Sequence, residues 1–275
     1  MKPYIRIFSI LIVTTLAFSP AIAQNVGQRG DSLLNYMDIN GKKQGKWMKN
    51  YPNGKKAYEG YFVDDQPEGK FVRYHENGNL KSVQYCTRNP SRCKTSLYYK
   101  ENSLAAEGNY LNQDKDSVWK YFDNQGKLIK QESFKEGVKH GVFLTYFSNG
   151  KVAEEENFQD GKKTGMWLQY YENGKKKLEA EFDRGMRHGK FYMYYDSGRI
   201  KVLGRYTGNL RDKTWIFYDE KGGEVMSVIY ENGKAINEEN FDALQQKEFE
   251  DFEKNKGKFE EPADFVRKKF MYDPY

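Results

Sequence analysis

What this chain lacks narrows its reading before any motif is considered. Of 275 residues only three are histidine (His75, His140 and His188) and two are cysteine (Cys86 and Cys93). So small and scattered a stock of nitrogen and sulfur ligands argues against a tetrahedral metal site. Aliphatic side chains are scarce, whereas 22 tyrosines and 18 phenylalanines help raise the aromatic content to 16%. Disordered chains are poor in aromatics, so the chain folds despite its 31% of charged residues. Its burial must come from many small two-faced surfaces rather than one thick aliphatic core. After the first 23 residues no apolar run approaches the ~20 residues that a membrane-spanning helix needs.

The N-terminus reads as an export signal. Lys2 and Arg6 precede the apolar run "IFSILIVTTLAF", and Ala21 and Ala23 occupy the small-residue positions of an A-x-A cleavage site. Residues 1–23 are therefore expected to be a signal peptide, with delivery to the periplasm, the cell surface or the medium. Losing Lys2 and Arg6 with the leader lowers the formal charge from +6 to +4. That is too mild to imply a nucleic-acid partner. In an exported chain, Cys86 and Cys93 in "YCTRNPSRCK" are expected to form a structural disulfide across a turn.

The chain repeats itself. With the glycine of an Asn-Gly-like turn as marker, units fall at Gly54, Gly78, Ser103, Gly126, Gly150, Gly174, Gly198 and Gly222, spaced 23 to 25 residues apart. A second glycine often precedes the marker, as at Gly45, Gly69, Gly141, Gly165 and Gly189, with Trp47, Phe71, Phe143, Trp167 and Phe191 two residues later. Short runs of aromatic and β-branched residues between Gly-containing turns predict strands, so each unit is a β-hairpin. Asn-Gly predicts a type I′ turn. Sixteen strands in sequence predict a long antiparallel meander, roughly 75 Å at the usual strand spacing, which twists along its length. The four tryptophans are expected in the core, and the second tyrosine of each pair, Tyr171 and Tyr195, on an exposed face. The third unit departs most, with Lys94, Ser96 and Ser103 where Gly, Trp and Gly would stand, so a bend or break is expected there.

The segment "GMWLQYYENGKKKLEAEFDRGMRHGKFYMYYDSG", Gly165 to Gly198, resembles the MORN repeat variant of bacterial repeat proteins, over about residues 41–236. The resemblance implies the hairpin-repeat architecture. It also implies two kinds of partner, since some such proteins are YwqK-type antitoxins and MORN repeats in general are associated with membranes and lipids.

Residues 24–40 form a lead-in, 41–236 the repeat domain and 237–275 a C-terminal tail. In the tail, Phe241, Leu244, Phe249 and Phe252 recur near helical spacing, which predicts an amphipathic helix that caps the array. The expected fold is thus all-β, an elongated meander of about eight 24-residue hairpins with a helical cap. No catalytic motif appears: G-x-S-x-G, H-E-x-x-H and the P-loop are all absent. His140 and His188 share a repeat position two units apart, about 19 Å along the sheet, too far to share a metal or a proton. The chain reads as a non-enzyme without a cofactor. A basic residue follows the marker at Lys55, Lys127, Lys151, Lys175 and Arg199, a row that could meet anionic lipid or acidic polysaccharide. The same row also serves solubility, and acids such as Glu59, Glu155 and Glu179 damp its field. The leading expectation is an exported binding scaffold for a protein or the envelope surface; the alternative is an antitoxin or immunity protein that neutralises a toxin by binding it.

Overall fold

The computed structural model describes residues 33–88 and 90–236, so the signal peptide and the C-terminal helix expected from the sequence lie outside the described residues. In chain order the strands are β1 (Tyr36–Met37), β2 (Lys43–Asn50), β3 (Lys56–Val63), β4 (Gln66–Tyr74), β5 (Leu80–Thr87), β6 (Arg92–Tyr98), β7 (Leu104–Leu111), β8 (Asp114–Phe122), β9 (Leu128–Lys135), β10 (Val138–Lys139) and β11 (Gly141–Tyr146). There follow β12 (Val152–Gln159), β13 (Lys162–Lys163), β14 (Gly165–Tyr170), β15 (Lys176–Asp183), β16 (Met186–Tyr194), β17 (Ile200–Thr207), β18 (Leu210–Tyr218), β19 (Glu224–Glu231) and β20 (Lys234–Ala235). All twenty belong to one antiparallel sheet in which each long strand pairs with the next long strand, the short β10 and β13 pairing only with β9 and β12, and no helix occurs among the described residues. Sixteen strands are long, two per repeat; β1, β10, β13 and β20 are two-residue pieces.

Two kinds of turn alternate, and the Asn-Gly turn is not type I′. At Tyr171–Lys175 the Gly174 N–H donates to the Tyr171 carbonyl at 2.8 Å and the Tyr171 N–H to the Lys175 carbonyl at 2.9 Å. Only Gly174 has positive φ, 88°. This is a type I turn closed by a glycine bulge. Asn173 is there for its side chain: its Oδ1 accepts the Lys175 N–H at 2.9 Å. The type I′ geometry belongs instead to the other turn, as at Arg184 (φ 48°) and Gly185 (φ 89°), flanked by the pair Asp183–Met186.

The positive-φ residue of the third unit is Asn102 (φ 69°), not the neighbouring Ser103. Asparagine tolerates this region better than most side chains, so it replaces glycine and restores an unbroken 24-residue period. The positions equivalent to the bulge glycine and the tryptophan are therefore Cys93 and Thr95. Other units carry a positive-φ bulge there, at Gly45, Gly69, Ser117, Gly141, Gly165, Gly189 and Lys213. The third unit has no such bulge: β5 and β6 pair in unbroken register from Ser82–Leu97 to Thr87–Arg92. Its two extra residues sit in the turn between Thr87 and Arg92, where other units have a two-residue turn such as that between Val63 and Gln66. The sheet therefore continues through this unit. Cys86 and Cys93 face each other across it and are disulfide-bonded.

The core is a ladder of rings on one face. Trp47, Phe71, Trp119, Phe143, Trp167, Phe191 and Trp215 are all buried, with Trp119 and Trp215 fully so. They alternate edge-to-face with the aromatics of the returning strands, as in Trp47–Phe62, Phe62–Phe71, Tyr110–Trp119, Trp167–Phe182, Phe191–Tyr206 and Tyr206–Trp215. Each ring lies back over the preceding strand. A Cβ on Gly60, Gly108 or Gly204 would overlap the ring of Phe71, Trp119 or Trp215 respectively. The indole N–H groups all find acceptors: Trp47 on the Gln44 carbonyl, Trp119 on Asn109, Trp215 on Arg205 and Trp167 on the Glu154 carboxylate.

Trp215→Ala should cost about 3–5 kcal/mol through the cavity it leaves. Gly204→Val should cost roughly 1–3 kcal/mol by forcing the Trp215 ring off its seat. Urea unfolding followed by tryptophan fluorescence measures both, and a Gly204→Val protein as stable as its parent would contradict this packing.

Candidate functional site

Three surfaces of the sheet present chemistry: the row of Asn-Gly turns, the opposite row of type I′ turns, and the face turned away from the rings. On the first, the sequence-predicted residues prove to be tied to one another. The Tyr171 hydroxyl donates to the Tyr194 carbonyl at 2.7 Å and Tyr195 to Tyr218 at 2.8 Å. Tyr51, His75 and Tyr99 make the same link to the next turn, reaching the carbonyls of Tyr74, Tyr98 and Phe122. Tyr171 and Tyr195 are thus half-buried braces rather than open aromatic contacts. Their placement follows from position: each starts a turn, so its ring lies along the edge and reaches one hairpin forward. Burial pushes the Tyr171 hydroxyl up, with Asp196 adding to the shift.

The basic row divides. Lys55 Nζ donates to the Asn77 carbonyl at 2.7 Å, Lys175 to Ser197 at 2.7 Å and Arg199 to Glu220 at 2.7 Å. Asn53, Asn77 and Asn173 add side-chain donations to the carbonyls of Glu76, Lys100 and Asp196. Lys127 and Lys151 make no such link among the described residues, and both are exposed. At these two turns the bracing tyrosine is replaced by Asp123, which caps its own loop, and by Phe147, which has no hydroxyl.

The second row was not foreseen. Lys43, Lys115, Lys139, Lys163, Arg187 and Arg211 stand on the type I′ side and cover the ring ladder. Lys163 Nζ lies 4.7 Å from the Trp167 ring centre and 4.8 Å from that of Phe182; the Arg211 guanidinium lies 4.9 Å from Trp215 and 5.2 Å from Tyr230. Lys43, Lys115 and Lys139 repeat this geometry, and Arg187 covers Tyr206. Each such contact contributes about 0.5–2 kcal/mol depending on desolvation. The sequence signal is a cation four residues before the ring, recurring every 24 residues except at Pro67 and Ser91.

One polar cluster is buried beneath this row. Lys130 Nζ lies 3.0 Å from Glu132, Tyr121 donates to the same carboxylate at 2.7 Å, and Lys115 donates to the Tyr121 oxygen at 2.7 Å. Burial alone would raise Glu132, but the Lys130 charge, the two hydrogen bonds and Lys115 outweigh it and hold the carboxyl below its usual range. Burial and the same carboxylate push the Tyr121 hydroxyl far up. The cluster is a closed network whose donors and acceptors serve one another.

The face away from the rings is open. Near the N-terminal end it holds a shallow cavity of about 360 Å³ lined by Lys46, Glu59, Tyr61, Val72, Tyr74 and Val83 among others. There Tyr74 donates to Glu59 at 2.7 Å and Lys56 pairs with it at 2.8 Å. The Glu59 hydrogen bond and burial push Tyr74 up to about 12.

A family model described as MORN repeat variant matches six segments: residues 43–64, 67–85, 115–136, 139–160, 163–184 and 187–207. The chain belongs to the MORN repeat variant family. The gap between the second and third matches is the disulfide unit, where Thr95 replaces the repeat tryptophan. No curated protein matches the chain. Among solved structures, the TcdB2–TccC3 complex is 12% identical with a TM-score of 0.19, over 74% of this chain and 15% of the matched one. The Photorhabdus luminescens Tc holotoxin pore is 8% identical with a TM-score of 0.16, over 70% and 14%. Likenesses this low establish no common fold, and this chain spans only a small part of either protein.

Phe147→Tyr should supply the missing brace of this MORN repeat sheet, raising stability by about 0.5–1.5 kcal/mol, and Tyr195→Phe should lower it by a similar amount. Thermal and urea unfolding check both. Because the folded Glu132 carboxyl lies below its unfolded value near 4.5, its stabilisation is present above that pH and is lost as pH falls through the folded pKa. Glu132→Gln should flatten this acid limb while costing roughly 3–5 kcal/mol at neutral pH, since it strands Lys130. Unfolding curves from pH 7 to 3 test this, and an unchanged acid limb would refute it.

Proposed function

We propose that this protein is an exported, non-catalytic repeat scaffold that binds a protein partner on the open face of its sheet. The observation that supports this reading is the asymmetry of the two faces. The rings and their covering cations use up one face, and both turn rows are occupied largely by links between hairpins. The remaining face offers apolar, tyrosine and charged side chains in regular rows, with a shallow cavity around Tyr61 and Tyr74. A signal peptide over residues 1–23 and a capping amphipathic helix within 237–275 complete the proposed protein.

The basic row is a weaker candidate for an anionic surface, because Lys55, Lys175 and Arg199 are engaged with neighbouring turns. Sedimentation with anionic and neutral vesicles should give equally low binding; salt-sensitive retention on anionic vesicles alone would favour the lipid reading. Pull-downs from envelope extract should retain partners on the wild type and on a Lys127→Ala, Lys151→Ala protein, and lose them on a Tyr61→Ala, Val83→Glu protein of equal thermal stability. Retention by the face variant would overturn the proposal. A captured toxin would identify the scaffold as an immunity protein.

A further inference from the structure

The open face differs along its length, and its C-terminal half carries a half-buried stripe of five apolar or aromatic residues and two glutamates, which nothing in the described residues covers. Leu144, Glu155, Leu168, Glu179, Tyr192, Leu203 and Ile216 follow one another in register across β11, β12 and β14 to β18. The same register line through the middle of the sheet is polar, running Ser96, Glu107, Lys120 and Gln131. Beside the stripe, exposed Val142 and Ile229 and half-buried Met166 widen the apolar area. Lys190 and Arg205, directly paired across β16 and β17, are exposed there and form no ion pair among the described residues.

We infer that residues 237–252 of the same chain dock on this stripe. Three observations converge on that occupant. The described chain stops at Ile236, immediately after β20, which lies against β19 at the apolar end of the face. Thirty-nine residues follow, and in the first sixteen Phe241, Leu244, Phe249 and Phe252 recur near helical spacing. Sixteen helical residues span about 24 Å, which equals about five strand spacings and carries the segment from β19 to β14. That interval contains Leu168, Tyr192, Leu203 and Ile216.

Charge agrees with reach. Residues 33–236 hold 35 Lys and Arg against 27 Asp and Glu, a net of +8, whereas 237–275 hold seven against eleven, a net of −4. Within 237–252 six acids accompany one lysine. Lys190 and Arg205 thus face an acidic segment across the stripe. Docked this way, the segment closes the C-terminal half of the face and leaves the cavity near Tyr61 and Tyr74 open to an external partner. The docking is independent of who that partner is, so the pull-downs above and the experiment below can fail separately.

The test places the photo-crosslinker p-benzoylphenylalanine at position 241, 249 or 252 of the otherwise intact chain at high dilution. Intact mass separates intramolecular from intermolecular products, and peptide mapping locates each link. Intramolecular links to Met166, Leu168, Tyr192, Leu203 or Ile216 support the docking. Loss of those links in a Leu168→Glu, Leu203→Glu protein whose melting temperature is unchanged confirms the surface. Links confined to other regions, links only between molecules, or none from all three positions would overturn it.

Discussion

A one-layer sheet has no second layer to cover its apolar face, and the rest of this structure follows from how that shortage is met. Each tryptophan or phenylalanine lies down on the strand before it. Under Phe71, Trp119 and Trp215 the space beneath the ring comes from Gly60, Gly108 and Gly204, where a Cβ would overlap it. The ring also needs cover above, which comes from a lysine or arginine reaching over from the type I′ edge. Aromatic residues suit the task because a flat ring covers much area with few rotatable bonds. Long cationic side chains suit the cover because their stems are apolar while their heads reach water. The 24-residue period is the length of chain that returns a ring to the same place in the ladder, with its covering cation in six of the eight units.

The third unit shows which parts of that device can be exchanged. Thr95 replaces the ring, and the partner aromatic and the bulge residue become Cys86 and Cys93, joined covalently. The bulge disappears, but its two residues are restored in the turn, so β6 still meets β7 in register. Conservation of strand register outranks the local means of achieving it, because a one-residue slip would turn every later ring to the wrong face. A covalent link serves here because a threonine cannot hold two strands by packing alone.

Most of this architecture was legible from residue type and spacing. Aromatics and turn residues at a fixed period specify hairpins, and two cysteines flanking a turn point to the Cys86–Cys93 staple. What was not legible was which atom of a residue matters. Asn173 looked like a type I′ residue but acts through its side-chain oxygen and nitrogen. Tyr171 and Lys175 looked like open surface yet each donates to the next turn, because the reach from one hairpin to its neighbour is a three-dimensional fact. Asn102 is masked in the sequence by the neighbouring Ser103, which falls where the turn glycine is expected. The cation row is hard to distinguish in the sequence because lysine is common on surfaces whatever its spacing.

These assignments move the question of recognition to the positions that the lattice leaves free. The ring position tolerates only tryptophan or phenylalanine, apart from Thr95. The next residue points to the open face, and there the chain reads Met48, Val72, Ser96, Lys120, Leu144, Leu168, Tyr192 and Ile216. One geometric site, repeated eight times, thus changes from apolar to polar and back to apolar. Core packing cannot explain this variation, since the side chains lie on the far side of the sheet from the rings. Nor can turn geometry, since they sit in mid-strand. A scaffold that holds its ring position nearly constant while this one varies has a surface whose chemistry is set unit by unit. The polar middle separates two apolar ends, so the tail docking and the partner binding proposed above call on different parts of the face.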